Sequence, residues 1–260
     1  MCPYLFIFNK NISTYGLLYL LAVLVVFLLA KKKSNRYNIL FDDLLVIGGF
    51  ILLFGFLGST ILFAVVTFSV VEIINSLLQF DFHVFQGLVF YGGLIGGIIG
   101  AVVGIKVARV ELFDAERCIV PFLPLGHAIG RIGCLMAGCC YAMEYDGWCA
   151  IYYKSSLSNL SSEQGYFPIQ PLECIFNIII MVVLIFATKK VKQKYNLLFL
   201  YLTLYSMVRF VLEYFRGDEV RGFYLNFSSS QWISIILLVI SIIGYCLNCY
   251  SNKKSAINNS

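Results

Sequence analysis

Apolar residues run through this chain in seven long stretches, at about 13–30, 41–67, 88–107, 114–134, 171–188, 196–214 and 231–249, parted by short polar or charged segments. A helix needs about 20 residues to cross the hydrocarbon core of a bilayer. The pattern therefore predicts an all-α polytopic membrane protein of seven helices, forming one transmembrane domain over residues 1–260. The second stretch is long for one crossing and is expected to tilt or to extend beyond the bilayer. The longest polar segment, about 138–170, is rich in Ser, Tyr, Gly and Asn and is expected to form a small extracytoplasmic cap. No internal repeat or heptad pattern interrupts this organisation.

Charge orients the stretches. No Lys or Arg occurs between Arg36 and Lys106. Thirteen of the 19 basic residues fall in alternate loops: Lys31, Lys32, Lys33 and Arg36; Lys106, Arg109 and Arg117; Lys189, Lys190, Lys192 and Lys194; Lys253 and Lys254. Basic residues collect on the cytoplasmic side, so the N-terminus is expected outside and the C-terminus inside. The first positive cluster follows the first apolar run instead of preceding it, and no small-residue cleavage site comes before it. That run therefore reads as a retained span and not as a cleaved signal. Overall the chain is 60% hydrophobic and 13% charged, with a mean hydropathy of +0.85. Its net charge of +5 belongs to these loops and does not imply a nucleic-acid partner.

Three charges break the rule. Arg131, in Gly130-Arg131-Ile132-Gly133-Cys134, sits at the far end of the fourth stretch, and Arg209 lies within the sixth with Glu213 one turn later. A charge at membrane depth costs about 2.5–3.5 kcal/mol on translocon scales and usually marks a site. A lone arginine at a span end is often a snorkelling anchor, but two arginines with a glutamate point to an anionic ligand. In a bilayer the ligand nearest to hand is a phospholipid headgroup. Gly92, Gly96, Gly100 and Gly104 share one face of the third helix, with Gly93 and Gly97 beside them. The spacing suits close helix packing, while Gly92 and Gly93, at the helix start, are also candidate anion contacts.

Nine cysteines are present. Cys118, Cys174, Cys246 and Cys249 lie in or near apolar spans, where a thiol is commonly a small hydrophobe. Cys134, Cys139, Cys140 and Cys149 lie at or beyond the outer edge of the fourth span. A thiol beside a guanidinium can be reactive, so Cys134, Cys139 and Cys140 also admit a membrane thiol-redox or metal-binding protein. A transporter subunit would account for buried charge, but not for its gathering at one face.

Five segments fall near the expected outer face: Tyr15-Gly16; Tyr91-Gly92-Gly93-Leu94-Ile95-Gly96; Gly130-Arg131-Ile132-Gly133; Pro168-Ile169-Gln170-Pro171-Leu172-Glu173; and the run from Tyr205 through Arg209 and Glu213 to Arg216. Their order and spacing resemble the prolipoprotein diacylglyceryl transferase family over about residues 12–234. The resemblance implies a seven-span enzyme of the bacterial plasma membrane. Such an enzyme moves the diacylglyceryl group of phosphatidylglycerol onto the thiol of a lipobox cysteine in a preprolipoprotein and releases glycerol phosphate. By this resemblance Arg131 and Arg209 are the phosphate-binding arginines. Glu213 and Tyr91 stand with them as catalytic candidates. Tyr15, Gly92, Gly93, Gly130, Gly133, Cys134, Cys139, Gln170, Glu173, Tyr205 and Arg216 are the expected substrate contacts. No metal or organic cofactor is expected, and the protein is expected to act as a monomer.

The chain also departs from the family pattern. Where the signature reads Gly-Arg-x-Gly-Asn-x-x-Asn-Gly-Glu, this chain has Cys134 and Ala137 for the two Asn and Cys139 for the Glu. Ala142 stands where a later Gly is usual, and Tyr91 stands where His usually precedes the Gly-Gly pair. Phenol titrates near 10, so Tyr91 is a poor base and is better suited to donating a hydrogen bond. Glu213 is a candidate base, unless it serves only to pair with Arg209 or Arg216. The thiols admit three readings: packing in place of Asn and Glu, a functional thiol, or a metal site.

Overall fold

In a computed structural model of the chain, residues 2–7, 10–85, 87, 89–154, 157–158, 160–190, 196–217, 223–225 and 227–258 are described. Lys192, Lys194 and Arg221, and the side chains of Tyr91, Lys253 and Lys254, lie outside that description. The described chain is helical throughout its apolar stretches and forms two compact units. One comprises Met1–Ala30 with Glu116–Ser260, the other Lys31–Ala115.

The first unit opens with an antiparallel hairpin of β1 (Tyr4–Ile7) and β2 (Lys10–Ser13), which runs straight into α1 (Thr14–Ser34). The predicted fourth stretch is broken into α5 (Leu112–Ile119), a 3₁₀ turn (Val120–Phe122) and α6 (Leu123–Ala137). Pro121 and Pro124 lack the N–H that a continuous helix needs and clash with the preceding turn, which explains the break. Helices α7 (Ile169–Ala187), α8 (Asn196–Leu212) and α9 (Ser229–Asn258) complete the unit. A 3₁₀ turn, Glu213–Phe215, extends α8. The buried residues Val120, Ile180, Leu184, Leu197 and Tyr201 form its main apolar cluster.

The polar segment between α6 and α7, the cap, carries two short strands. Strands β3 (Ile151–Tyr152) and β4 (Gly165–Tyr166) pair antiparallel. Met143 N–H donates to the Phe215 carbonyl at 3.0 Å, and Phe167 stacks on Phe215 with centroids 5.0 Å apart. The cap is thereby fastened to the end of α8. A last hairpin, β5 (Phe223–Tyr224) with β6 (Phe227–Ser228), leads into α9. Ser228 and Gln231 form a reciprocal capping box there: Ser228 N–H donates to Gln231 Oε1 at 2.9 Å, and Gln231 N–H to Ser228 Oγ at 3.2 Å.

The second unit pairs α2 (Phe41–Thr67) with α4 (Phe90–Val107). Between them lies α3 (Val70–Leu78), a short amphipathic helix that the span pattern does not predict. Its start is fixed by Ser69 and Glu72, which cap each other's backbone N–H groups. The glycine stripe lies in the α2–α4 seam. A Cβ at Gly92 would strike the Gly58 carbonyl, one at Gly96 the Phe54 carbonyl, and one at Gly100 the Phe50 carbonyl. Gly93 N–H is already bonded to the Val89 carbonyl at 3.2 Å, so the two glycines expected to face an anion serve backbone packing and the helix ladder. Gly97 is different, with nothing nearer than Ile51 Cγ2 at 4.0 Å. Gly96→Ala is therefore expected to destabilise by about 1–3 kcal/mol through overpacking. Gly97→Ala should be neutral or stabilising, since Ala is the better helix former. Thermal unfolding in detergent separates the two; equal effects would remove the seam from the account.

Six described helical segments are long and apolar enough to cross a membrane, and the described apolar part of α4, Gly92–Val107, is shorter. Together with the family result below, they make this a multi-pass membrane protein.

Candidate active site

The first unit gathers four of the predicted charged residues, Arg131, Arg209, Glu213 and Arg216, around a fifth, Glu173. Glu173, in the first turns of α7, is 4% exposed. Its Oε2 meets Arg131 Nε at 2.5 Å, and its Oε1 meets Arg209 Nη1 at 2.8 Å. Arg216 Nη1 lies 3.9 Å from the same Oε1. Arg209 turns its other terminal nitrogen to Glu213 Oε2 at 2.7 Å and to Ser230 Oγ at 3.3 Å. Ser228 Oγ donates to Glu213 Oε1 at 2.9 Å. Three guanidiniums against two carboxylates leave one formal positive charge in excess. Burying such a set is tolerable only when each charge is paired and hydrogen-bonded, as most of these are.

The helices set this arrangement. Arg209 and Glu213 are one turn apart and share a face. Arg131 comes from the last turns of α6 and Glu173 from the first turns of α7, joined by the cap. The pairing Ala142↔Arg216 between cap and chain end holds Arg216 in place. Arg131 meets Glu173 through Nε and keeps about a fifth of its side chain exposed, so among the described residues its guanidinium has an open side for a ligand. Arg209 has both terminal nitrogens engaged by carboxylates.

Around this hub, the other expected residues divide. Tyr15 packs on the glycine face of α6; a Cβ at Gly133 would lie 3.2 Å from Tyr15 Cδ2. Gly130 faces open space. Tyr205 lies beside His127, with ring centroids 5.2 Å apart, and His127 Nδ1 is 3.0 Å from Tyr201 Oη. Gln170 is fully buried. Its Nε2 donates to the Cys139 carbonyl at 3.0 Å, and its amide pairs with the Tyr153 hydroxyl at 2.8 and 3.1 Å. Gln170 therefore anchors the cysteine turn. Burial pushes the Tyr153 hydroxyl up to about 12, with the Gln170 bond pulling the other way. Tyr91, Gly92 and Gly93 belong to the other unit. Sequence reasoning missed Tyr153, Ser228 and Ser230, and only the Ser228-x-x-Gln231 capping pattern carried a signal for any of them.

The three thiols Cys134, Cys139 and Cys140 meet, with their sulfurs within 4.8 Å of one another. Hydrogen bonds from Cys134 and then Cys139 favour the Cys140 thiolate, and the charges of Arg131 and Arg216 add to this. Cys139 is held protonated by the same exchange with Cys134 and Cys140.

An apolar groove of about 390 Å³ runs between α7 and α8, lined by Leu172, Phe176, Met207, Val208, Val211, Leu212 and Phe215. Leu172, Val208 and Leu212 are the immediate chain neighbours of Glu173, Arg209 and Glu213. The groove and the charged hub thus draw on the same two helices, with the groove lined by apolar side chains alone.

Comparison with known proteins places the chain. The family model for prolipoprotein diacylglyceryl transferase matches residues 3–247. A Clostridium perfringens protein named phosphatidylglycerol–prolipoprotein diacylglyceryl transferase 2 is 31% identical over 248 residues, covering 95% of each chain. A Clostridium tetani protein named phosphatidylglycerol–prolipoprotein diacylglyceryl transferase is 28% identical over 243 residues, covering 93% of this chain and 96% of its own. A Chlorobaculum tepidum protein of the same name is 28% identical over 248 residues, covering 89% and 84%. With the match running across nearly every element described above, the chain belongs to the prolipoprotein diacylglyceryl transferase family.

Proposed function

We propose that this protein transfers the diacylglyceryl group of phosphatidylglycerol to the thiol of a lipobox cysteine in a preprolipoprotein, from the outer side of the bacterial plasma membrane. The observation that carries the reading is the three-arginine hub, built on helices that also line an apolar groove. One excess positive charge matches one phosphodiester. Arg131 offers its terminal nitrogens to the phosphate oxygens in a fork. Arg209 and Arg216 add positive charge behind it, and Glu173 and Glu213 hold those guanidiniums in place.

The acceptor sulfur attacks the glyceryl carbon that bears the phosphate ester. A C–S bond forms and the C–O bond breaks. The electron pair passes to the phosphate oxygen, and glycerol phosphate leaves. Guanidiniums fixed in advance favour the charge that grows on that oxygen. Of the expected substrate contacts, Tyr15 packs at Gly133, two residues from Arg131, while Gln170 positions the cysteine turn. Complementation of a bacterium depleted of its own transferase tests the reading in cells: growth and lipoprotein lipidation should return, and failure to restore either by the well-expressed chain would contradict it.

The orientation follows from the basic loops, with the N-terminus outside and the C-terminus cytoplasmic. Asn35 and Ser158 are both exposed and serve as probes. In a cysteine-free background, Ser158→Cys should react with an impermeant outside reagent, and Asn35→Cys should be shielded. The reverse labelling would overturn the assignment.

A further inference from the structure

The proposed transfer needs a thiolate, and the hub does not supply an evident base. Glu173 and Glu213 are both engaged by guanidiniums. The cysteine turn offers another route. Two backbone devices bring its thiols together. Helix α6 ends in a Schellman motif: Gly138, at φ 66°, donates its N–H to the Leu135 carbonyl at 3.2 Å, and Cys139 N–H donates to the Cys134 carbonyl at 3.1 Å. That motif sets the side chains of Cys134 and Cys139 against each other. Cys140 then adopts φ 55°, a left-handed conformation that costs of order 1 kcal/mol or more for a residue with a Cβ. It brings the third sulfur back to the other two.

Resting on the transfer reading, we infer that Cys134, Cys139 and Cys140 hold a thiophilic divalent ion of the zinc type through three sulfurs. The ion's fourth position receives the acceptor thiol. Sulfurs about 2.3 Å from a tetrahedral zinc lie about 3.8 Å apart, so sulfurs already within 4.8 Å need only a small contraction. Three protein ligands with one open position is the arrangement of catalytic zinc; structural sites are closed by a fourth. Gln170, tied to the Cys139 carbonyl and to Tyr153, fixes the turn as an outer support. The resemblance leads to an expectation of no metal, because direct displacement needs none. What changes the expectation is that this chain has thiols where the family has Asn and Glu, and a phenol where it has His.

In the step this implies, the acceptor S–H binds the ion and gives its proton to water, since a coordinated thiol is deprotonated. The bound thiolate attacks the glyceryl carbon, the C–S bond forms, and the C–O pair leaves on the phosphate oxygen. The ion's oxidation state does not change. The neutral thioether is a weaker ligand and departs.

The test uses the full chain, purified in detergent under mild reductant, loaded with zinc and freed of excess. About one zinc per chain with three sulfur neighbours by X-ray absorption is expected. Cys140→Ser should lose the zinc and Cys149→Ser should keep it. Gln170→Ala should weaken zinc affinity about 10–100-fold. Chelated protein should lose transfer at least tenfold, recover it with zinc, and bind phosphatidylglycerol unchanged throughout. No retained zinc in folded protein, equal zinc in Cys140→Ser, or a disulfide within the turn as its isolated state would each overturn the site. Transfer unaffected by chelation would overturn its role. Zinc bound by three sulfurs with no transfer under any loading would instead contradict the transfer reading and leave the metal site standing.

Discussion

Arg131→Ala and Arg209→Ala each reduce transfer by about two to three orders of magnitude, the scale set by losing one donor to a developing oxyanion. The two losses are expected to differ in kind. Arg131 meets Glu173 through Nε, so its removal takes away the phosphate fork while Arg209 still pairs Glu173. The variant should stay folded, with weaker phosphatidylglycerol binding and slower turnover. Arg131→Lys should recover little, because a point charge does not replace a planar fork. Arg209 joins two buried carboxylates, and its loss takes a guanidinium from each of them. Arg209→Ala should therefore also lose stability, by about 3–5 kcal/mol. Turnover and thermal unfolding measured on the same preparations separate the two effects. Near-normal turnover in folded Arg131→Ala would remove the phosphate role.

Glu173→Ala is expected to lose as much stability as Arg209→Ala. One carboxylate lies among three guanidiniums, and its removal leaves like charges facing one another at depth. A loss of about 3–5 kcal/mol follows from breaking a buried pair. Glu173→Gln keeps the shape and one acceptor and should lose less. The space vacated in Glu173→Ala is lined by cations, so added inorganic phosphate should raise its unfolding temperature more than that of the parent. A Glu173→Ala protein as stable as the parent, or indifferent to phosphate, would mean that the hub is not organised around this carboxylate.

Much of this was legible in the sequence, and the remainder has physical reasons for being hidden. The seven apolar stretches all became helices because composition alone makes them insoluble otherwise, and in a bilayer a helix satisfies its own backbone. The break of the fourth stretch could be read at Pro121 and Pro124. Helix α3 lay behind a span-length criterion, although Ser69-x-x-Glu72 is a capping box in plain view. In the site, Arg131, Arg209 and Glu213 stood out as charges at membrane depth. That Glu173 is their centre did not, since its contact with Arg209 spans 36 residues and depends on how α7 and α8 pack. Gln170 was expected at the substrate and is instead buried on Tyr153, because a segment match gives position along the chain and not the direction a side chain takes. The glycines of α4 carried two readings from one pattern, and only the carbonyls facing them decide for packing.

The most direct measurement mixes the purified chain with phosphatidylglycerol and a lipobox peptide bearing one free thiol, and follows both products by mass spectrometry. The account predicts a diacylglyceryl thioether on that cysteine, with one glycerol phosphate released for each thioether formed, and both products slowed by about two to three orders of magnitude with Arg131→Ala. Glycerol phosphate released without thioether, no thioether from the folded parent chain, or equal yield from Arg131→Ala would contradict it.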